Sequence, residues 1–140
     1  MKAQYDNIFV TAFIPWQGKA LLVQRVAGEE FLPNYWEQVG GKVEPNESHE
    51  EAVIREVKEE AGITVKPLHS YHQFEYTHAD GHLMCEIAYL CKLIEEPNVV
   101  LSPEHQKFMW VTAEELNRLE PITDVMRKVV RRGFKETNLQ

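Results

Sequence analysis

The run His49–Ala61, HEEAVIREVKEEA, constrains this chain more than any other stretch. It is rich in helix formers, Ser48 and Glu51 stand at capping-box spacing at its start, and Gly62 supplies a stop at its end. Each helical residue turns about 100° around the axis, so with Glu56 as origin Glu60 falls at about 40°, Glu59 at about 300° and Ala52 at about 320°. Val53, Ile54, Val57 and Ala61 spread over roughly 60° to 160°. Such a helix must bury its apolar side on another layer and present three carboxylates grouped around a small alanine.

Glutamate is common on exposed helices, and Arg55 and Lys58 could pair with neighbours. Two features argue against a merely solvated face. Glu56 and Glu60 are like charges one turn apart, which is destabilising without a counter-ion. The cluster also lies toward the helix C-terminus, where the macrodipole disfavours anions. A hard cation such as Mg²⁺, or Mn²⁺ in its place, takes carboxylate oxygens and removes both penalties.

The rest of the chain supports one domain over residues 1–140. The spacing predicts a strand across NIFVTAFIPW, a turn at Gln17-Gly18 and a hairpin partner in KALLVQRV. AGEEFLPNYW reads as a loop, and short extended pieces surround Gly40-Gly41. After the helix, ITVKPLHSYHQFEY and LMCEIAYLCKLI read as strands joined through the Asp-Gly turn of THADGH. KFMWVT is a short strand, and AEELNRL and ITDVMRKVVRRGF are helical. This order predicts an α/β fold in which one mixed sheet has a helix on each side.

The net charge is −7, and 19 of the 22 acidic residues are glutamate. Such a chain does not attract polyanions through its overall field, so an anionic substrate requires mediating cations. Nucleic acid is therefore not expected as a partner, and the basic stretch MRKVVRRGFK reads as a solvated helix face. Cys85 and Cys91 lie six residues apart on one strand, about 20 Å, and read as small core hydrophobes. His78 and His82 flank a turn and read as surface histidines rather than a zinc pair. No apolar run approaches the roughly 20 residues of a membrane span. MKAQYDNIFV lacks the apolar region of a secretory signal, so a cytoplasmic protein, monomeric or homodimeric, is expected.

From Gly41 the chain reads GKVEPNESHEEAVIREVKEEAGI: Gly41, five residues, Glu47, seven residues, Arg55-Glu56-Val57, one residue, Glu59-Glu60, one residue, Gly62-Ile63. This resembles the Nudix box at every defining position. LLVQR, YWEQVGG and FMWVTAEEL extend the resemblance over most of the chain. The resemblance implies an α/β/α sandwich with a mixed sheet, and Mg²⁺-dependent hydrolysis of a diphosphate linkage in a nucleoside diphosphate joined to another group. By the same resemblance, Glu56, Glu59 and Glu60, with the Gly40 carbonyl, are metal ligands, and Glu59 is also catalytic. Arg55 orients the glutamates, and Glu47 supports them, paired with Arg25. Gly41, Glu47 and Gly62 are structural positions of the box. Arg25, Glu37, Gln38 and Val39 occupy positions similar to those lining the nucleotide site of MutT-type members.

Glu104, six residues before Trp110, is similar to a late-loop glutamate that serves some members as base or extra ligand, with His105 as the alternative. Trp36 is expected in the core and Tyr35 beside a base. Three positions depart from the common pattern: Asn34, Val39 and Asn46 replace Gly, Pro and Gly. Asparagine tolerates left-handed backbone, so those turns can survive. Near the last helix, Thr123 and Asp124 stand where oxidised-purine readers carry an asparagine, so that specificity is not implied. Two other readings remain: a non-catalytic nucleotide-sensing module, and an enzyme acting on RNA 5′ ends.

Overall fold

The computed structural model describes residues 4–137. Its elements are strands β1 (Asn7–Phe13), β2 (Pro15–Trp16), β3 (Lys19–Arg25), β4 (Trp36–Glu37) and β5 (Val39–Lys42), helix α1 (His49–Ala61), strands β6 (Val65–Thr77), β7 (Leu83–Leu93) and β8 (His105–Val111), and helices α2 (Ala113–Leu116) and α3 (Asp124–Thr137).

The expected continuous strand over residues 7–16 is interrupted. β1 joins one sheet, in the order β5-β1-β7-β6, while β2 joins another with β3, β4 and β8. Ile14 lies at the crossing and is fully buried. The hairpin partner of β3 is thus β2, not β1. The first sheet is mixed: β1 runs parallel to β7, from Asn7↔Met84 to Phe13↔Leu90, and antiparallel to β5. In the second, β8 pairs along β3 from Ala20 to Arg25, which leaves the other edge of β3 to β2 and β4.

Period-two alternation divides the core. Val10, Ala12, Cys85, Ile87, Tyr89 and Cys91 meet Ala52, Val53, Val57 and Ala61 of α1. Phe13, Ala88 and Leu90 meet Val129, Val130 and Phe134 of α3, with Leu22, Trp36 and Leu116 beside them. A helix therefore covers each face of the strands, an α/β/α sandwich of mixed α/β class. Both cysteines are buried and free, as core hydrophobes. Phe13 sits edge-on to Phe134 at 5.1 Å between ring centres. Gly133 makes room for it, because a β-carbon there would lie 2.2 Å from the Phe13 ring.

α1 begins and ends where expected. The Ser48 hydroxyl accepts from Glu51 N–H, Glu51 accepts from Ser48 N–H, and Gly62 closes the helix at φ 69°. Asn34 and Asn46 adopt φ 68° and 66°, the left-handed backbone that asparagine was expected to tolerate. α2 is shorter than its apolar spacing suggested, and α3 starts at Asp124 because the Thr123 hydroxyl accepts from Met126 N–H. The basic residues Lys128, Arg131, Arg132 and Lys135 of α3 are exposed. Among the described residues, no helix is long and apolar enough to cross a membrane.

Candidate active site

α1 lies against β5, and Gly40 and Gly41 bring the β5 backbone close to it. The approach is tight. A β-carbon on Gly41 would lie 2.4 Å from the Glu56 carboxyl carbon, and one on Gly40 would lie 2.1 Å from the Val10 carbonyl oxygen. Glycine at 41 lets the Glu56 carboxylate sit directly over the strand, and glycine at 40 lets β5 lie close against the β1 backbone. The Gly40 N–H donates to Glu60 Oε1 at 3.1 Å, so Glu60, buried at 7% exposure, is anchored to the strand it faces.

Arg55 organises the other side. Its Nε donates to Glu47 Oε2 at 2.7 Å and its Nη2 to Glu47 Oε1 at 3.0 Å. Nη1 donates to Glu56 Oε1 at 2.8 Å and to Glu59 Oε2 at 3.3 Å, and Nη2 also donates to the Lys42 carbonyl. The expected pairing of Glu47 with Arg25 is corrected. The loop before α1 folds back so that Glu47 meets the guanidinium eight residues ahead, while Arg25 binds Glu29 at 3.3 Å and Glu37 at 3.4 Å. The guanidinium hydrogen bonds and the Glu44 N–H pull the Glu47 carboxyl down to about 2.

A cleft of about 460 Å³ opens beside these residues, lined by Gly40, Gly41, Glu56, Glu60 and Glu104 on one side and by Arg25, Glu37 and Gln38 on another. Glu104 sits on the turn entering β8, close enough to Glu60 to raise its pKa. Burial is the larger cause of that rise, with the negative field of Glu56 adding to it. Burial also raises Glu56, against the opposing pull of Arg55. Carboxylates gathered in this way repel one another, which favours the protonated form of Glu56 and Glu60.

The placement of Glu59 differs from that of Glu56 and Glu60. Its side chain is 58% exposed, held toward Arg55, and it does not line the cleft. Among the described residues, no three acidic, histidine or cysteine side chains stand already closed into a metal cage. The guanidinium draws Glu56 and Glu59 to itself, while Glu60 turns to the Gly40 N–H. His105, weighed as an alternative base, points inward. Its Nε2 lies 2.9 Å from Glu37 Oε2, and it does not line the cleft. Val39 is fully buried in the core rather than at the cleft surface. Gln38 is buried and donates to Thr11 Oγ1 at 3.0 Å. Trp36 packs in the core as expected. Arg25 also donates from Nε to the Phe31 carbonyl, which fixes the start of the 31–35 loop over the cleft.

Sequence reasoning missed several wall residues: Phe31, Tyr76, Glu86 and Met126. Only Glu86 carried a visible signal, as the one charged residue in MCEIAYLC.

Comparison with known proteins agrees with this architecture. The chain is 37% identical over 108 residues to the CTP pyrophosphohydrolase of Escherichia coli, covering 76% of each chain. It is 34% identical over 126 residues to the nucleoside triphosphatase NudI of an Enterobacter species, covering 82% of this chain and 88% of that one. The crystal structure of a MutT protein from Methanosarcina mazei superposes with a TM-score of 0.79 at 31% identity, over 94% of both chains. The NUDIX domain model matches residues 7–133, and on this evidence the chain belongs to the Nudix hydrolase family.

Proposed function

We propose that the chain is an Mg²⁺-dependent pyrophosphohydrolase, with Mn²⁺ able to substitute, acting as one domain on a nucleoside triphosphate or a related nucleotide diphosphate derivative. Family members generally use a divalent metal ion. The observation that carries the reading is the charge of the cleft. Five glutamates line it, and Arg25 is the one cationic side chain among the described lining residues. A diphosphate cannot enter such a cleft unless divalent cations neutralise both partners.

The residues present fit such ions. Glu56 and Glu60 offer carboxylate oxygens over two glycines, Glu104 faces them, and the raised pKa of Glu60 marks a site short of positive charge. Glu59, one position before Glu60 on the helix, would complete the set on release from Arg55. A bound divalent cation would neutralise the diphosphate, polarise its phosphoryl oxygens and acidify a bound water.

The chain's own groups do the remaining work. Arg55 holds Glu47 and Glu56 in fixed relation, and Gly40 N–H holds Glu60. Glu104, exposed and facing the carboxylates, accepts the proton of the attacking water. In-line displacement at phosphorus then needs mainly positioning and charge stabilisation. The 34%-identical NudI relative is a nucleoside triphosphatase and the E. coli relative a CTP pyrophosphohydrolase, which supports a nucleotide substrate.

A panel of NTPs, dNTPs, ADP-ribose and dinucleoside tetraphosphate with Mg²⁺, with products resolved by chromatography, tests the reading. Release of a nucleoside monophosphate with pyrophosphate from a triphosphate is expected. Nucleotide binding without turnover at saturating Mg²⁺ across the panel would instead identify a sensing module.

A further inference from the structure

Beside the carboxylate cleft lies a second cavity of about 450 Å³ with a different character. Phe31, Glu37, Tyr76, Glu86 and Met126 line both, so the two form one continuous recess. The walls of the second are mainly apolar and aromatic, including Tyr35, Trp36 and Phe74. Phe31 is 70% exposed and Tyr76 38% exposed, so both present ring surface at the recess. Tyr76 in turn stacks on Phe74, with ring centres 6.0 Å apart. A flat aromatic ring attached to a phosphorylated group in the neighbouring cleft suits these walls.

Glu86 is the anomaly in this recess. It sits on β7 in the middle of the mixed sheet, paired with Phe9 on one side and Phe74 on the other. It shares a strand face with Ala88 and Leu90, which the core of α3 covers, whereas Glu86 itself faces the cavity. Its polar neighbours are another acid, Glu37, and the Tyr76 hydroxyl. Burial raises its pKa, and no cation opposes that rise. Glu37 differs, because Arg25 and His105 already partner it. A half-buried carboxyl in a central strand costs stability unless something donates to it. The Tyr76 hydroxyl is the one donor facing it among the described residues, so the carboxyl keeps acceptor capacity that the fold leaves unused.

Resting on the nucleotide-hydrolase reading above, we infer that Glu86 is a specificity-determining residue that accepts hydrogen bonds from the exocyclic amino group of the substrate's nucleobase. The recess thereby favours cytosine, adenine or guanine over uracil and thymine. The last two present a single N–H flanked by carbonyl oxygens, which a carboxylate repels. No lysine, arginine or histidine lines this second cavity among the described residues, so no charged or imidazole donor is offered to those carbonyls. A site built to pair one polar group of a substrate rejects the analogue lacking it, because its own buried group is then left unpaired.

The test is calorimetric binding of CMP, AMP, GMP and UMP with Mg²⁺, which neutralises the cleft toward the phosphate while leaving no diphosphate bond to cleave, to the wild-type protein and to Glu86→Gln. The best of the three amino-bearing nucleotides is expected to bind at least about tenfold more tightly than UMP. The carboxamide, which can donate as well as accept, is expected to bring that ratio below about threefold. UMP binding as tightly as the best of the others, no detectable binding of any, or a preference unchanged in Glu86→Gln would overturn the inference. If Glu86→Gln does not fold, Glu86→Ala takes its place in the same comparison, and a wild-type ratio near one overturns the inference whichever variant folds. Hydrolysis of triphosphates without base preference would sink this inference and leave the pyrophosphohydrolase reading standing. Base-selective binding without hydrolysis would do the reverse.

Discussion

Arg55 and Glu47 form a two-pronged ion pair, Nε to Oε2 at 2.7 Å and Nη2 to Oε1 at 3.0 Å, and the same guanidinium reaches Glu56 at 2.8 Å. Two parallel N–H donors on one carboxylate fix the plane of the guanidinium, and Nη1 is then aimed at Glu56. Glu47 thus acts on the cleft through Arg55. Lysine has no fork and cannot reproduce this geometry. Arg55→Lys and Glu47→Gln should each lower kcat/KM by about 10- to 100-fold, the usual effect of removing a partner of a metal ligand. The loss should appear with weakened Mg²⁺ affinity, read as a rise in the Mg²⁺ concentration for half-maximal rate. An unchanged Mg²⁺ requirement in both variants would contradict this role.

The acidic residues of the site push stability in opposite directions with pH. Glu47, held down to about 2, contributes stability that is complete above the ordinary glutamate pKa of about 4.5 and is lost as pH falls toward 2. Glu60 is raised, so between about 4.5 and its folded pKa the native state keeps a proton that the unfolded chain has released, and stability falls as pH rises. Metal-free protein should therefore melt at a lower temperature at pH 8 than at pH 6. Glu60→Gln should flatten that slope, and Glu47→Gln should flatten the acid limb instead. Thermal melts across pH 3 to 9 in chelator read both, and a slope at pH 6 to 8 that survives in Glu60→Gln would contradict the assignment.

Gly40 and Gly41 are adjacent but should fail in different ways. A β-carbon at Gly41 meets the movable end of Glu56, whereas one at Gly40 meets the β1 backbone at the Val10 carbonyl oxygen and at Thr11 Cα. Gly41→Ala should keep the fold and weaken divalent-cation binding by about tenfold or more. Gly40→Ala should cost more than about 2 kcal/mol of stability, because backbone cannot step aside as a side chain can. Denaturant melts paired with Mn²⁺ titration distinguish the two, and equal loss of stability in both variants would refute the distinction.

The helix and its box were legible because their signals are local. Capping residues, the Gly62 stop and the 3.6-residue spacing all lie within one short run, so α1 appears at the expected residues. The break in the first strand was not legible. Residues 7–16 are uniformly β-prone, and only pairing with partners distant in sequence assigns β1 and β2 to different sheets. Glu47 was matched to the wrong arginine for a related reason: the turn of the 42–48 loop decides which guanidinium it meets. The orientation of His105 toward Glu37 follows from its β8 register opposite Arg25. Glu86 stood out as a charge in an apolar strand, but its meaning depended on the neighbouring β6 and on the start of α3, which close a cavity around it.

Glu104 lies on an exposed turn whose backbone is tied to both sides of the cleft. Its carbonyl accepts from Val26 N–H at 3.2 Å, and Ser102 N–H, two residues earlier, donates to the Glu60 carbonyl at 3.1 Å. The turn is thus held in place, with the exposed side chain reaching Glu60. Glu104→Gln should lower kcat by about 10² to 10⁴, the range for loss of a general base, and leave thermal stability nearly unchanged. Near-normal kcat with the best substrate would remove Glu104 from the mechanism.

The central claim is that the carboxylates around Gly40 and Gly41 hold divalent cations against a nucleotide diphosphate. Steady-state pyrophosphate release from the best nucleoside triphosphate, with Mg²⁺ and with chelator, in wild type and in Glu60→Gln, tests it most directly. The account predicts release that requires Mg²⁺ and falls by at least about a hundredfold in Glu60→Gln, a larger effect than that of the supporting variants. Undiminished release by Glu60→Gln, or release by the wild type in chelator, would contradict it.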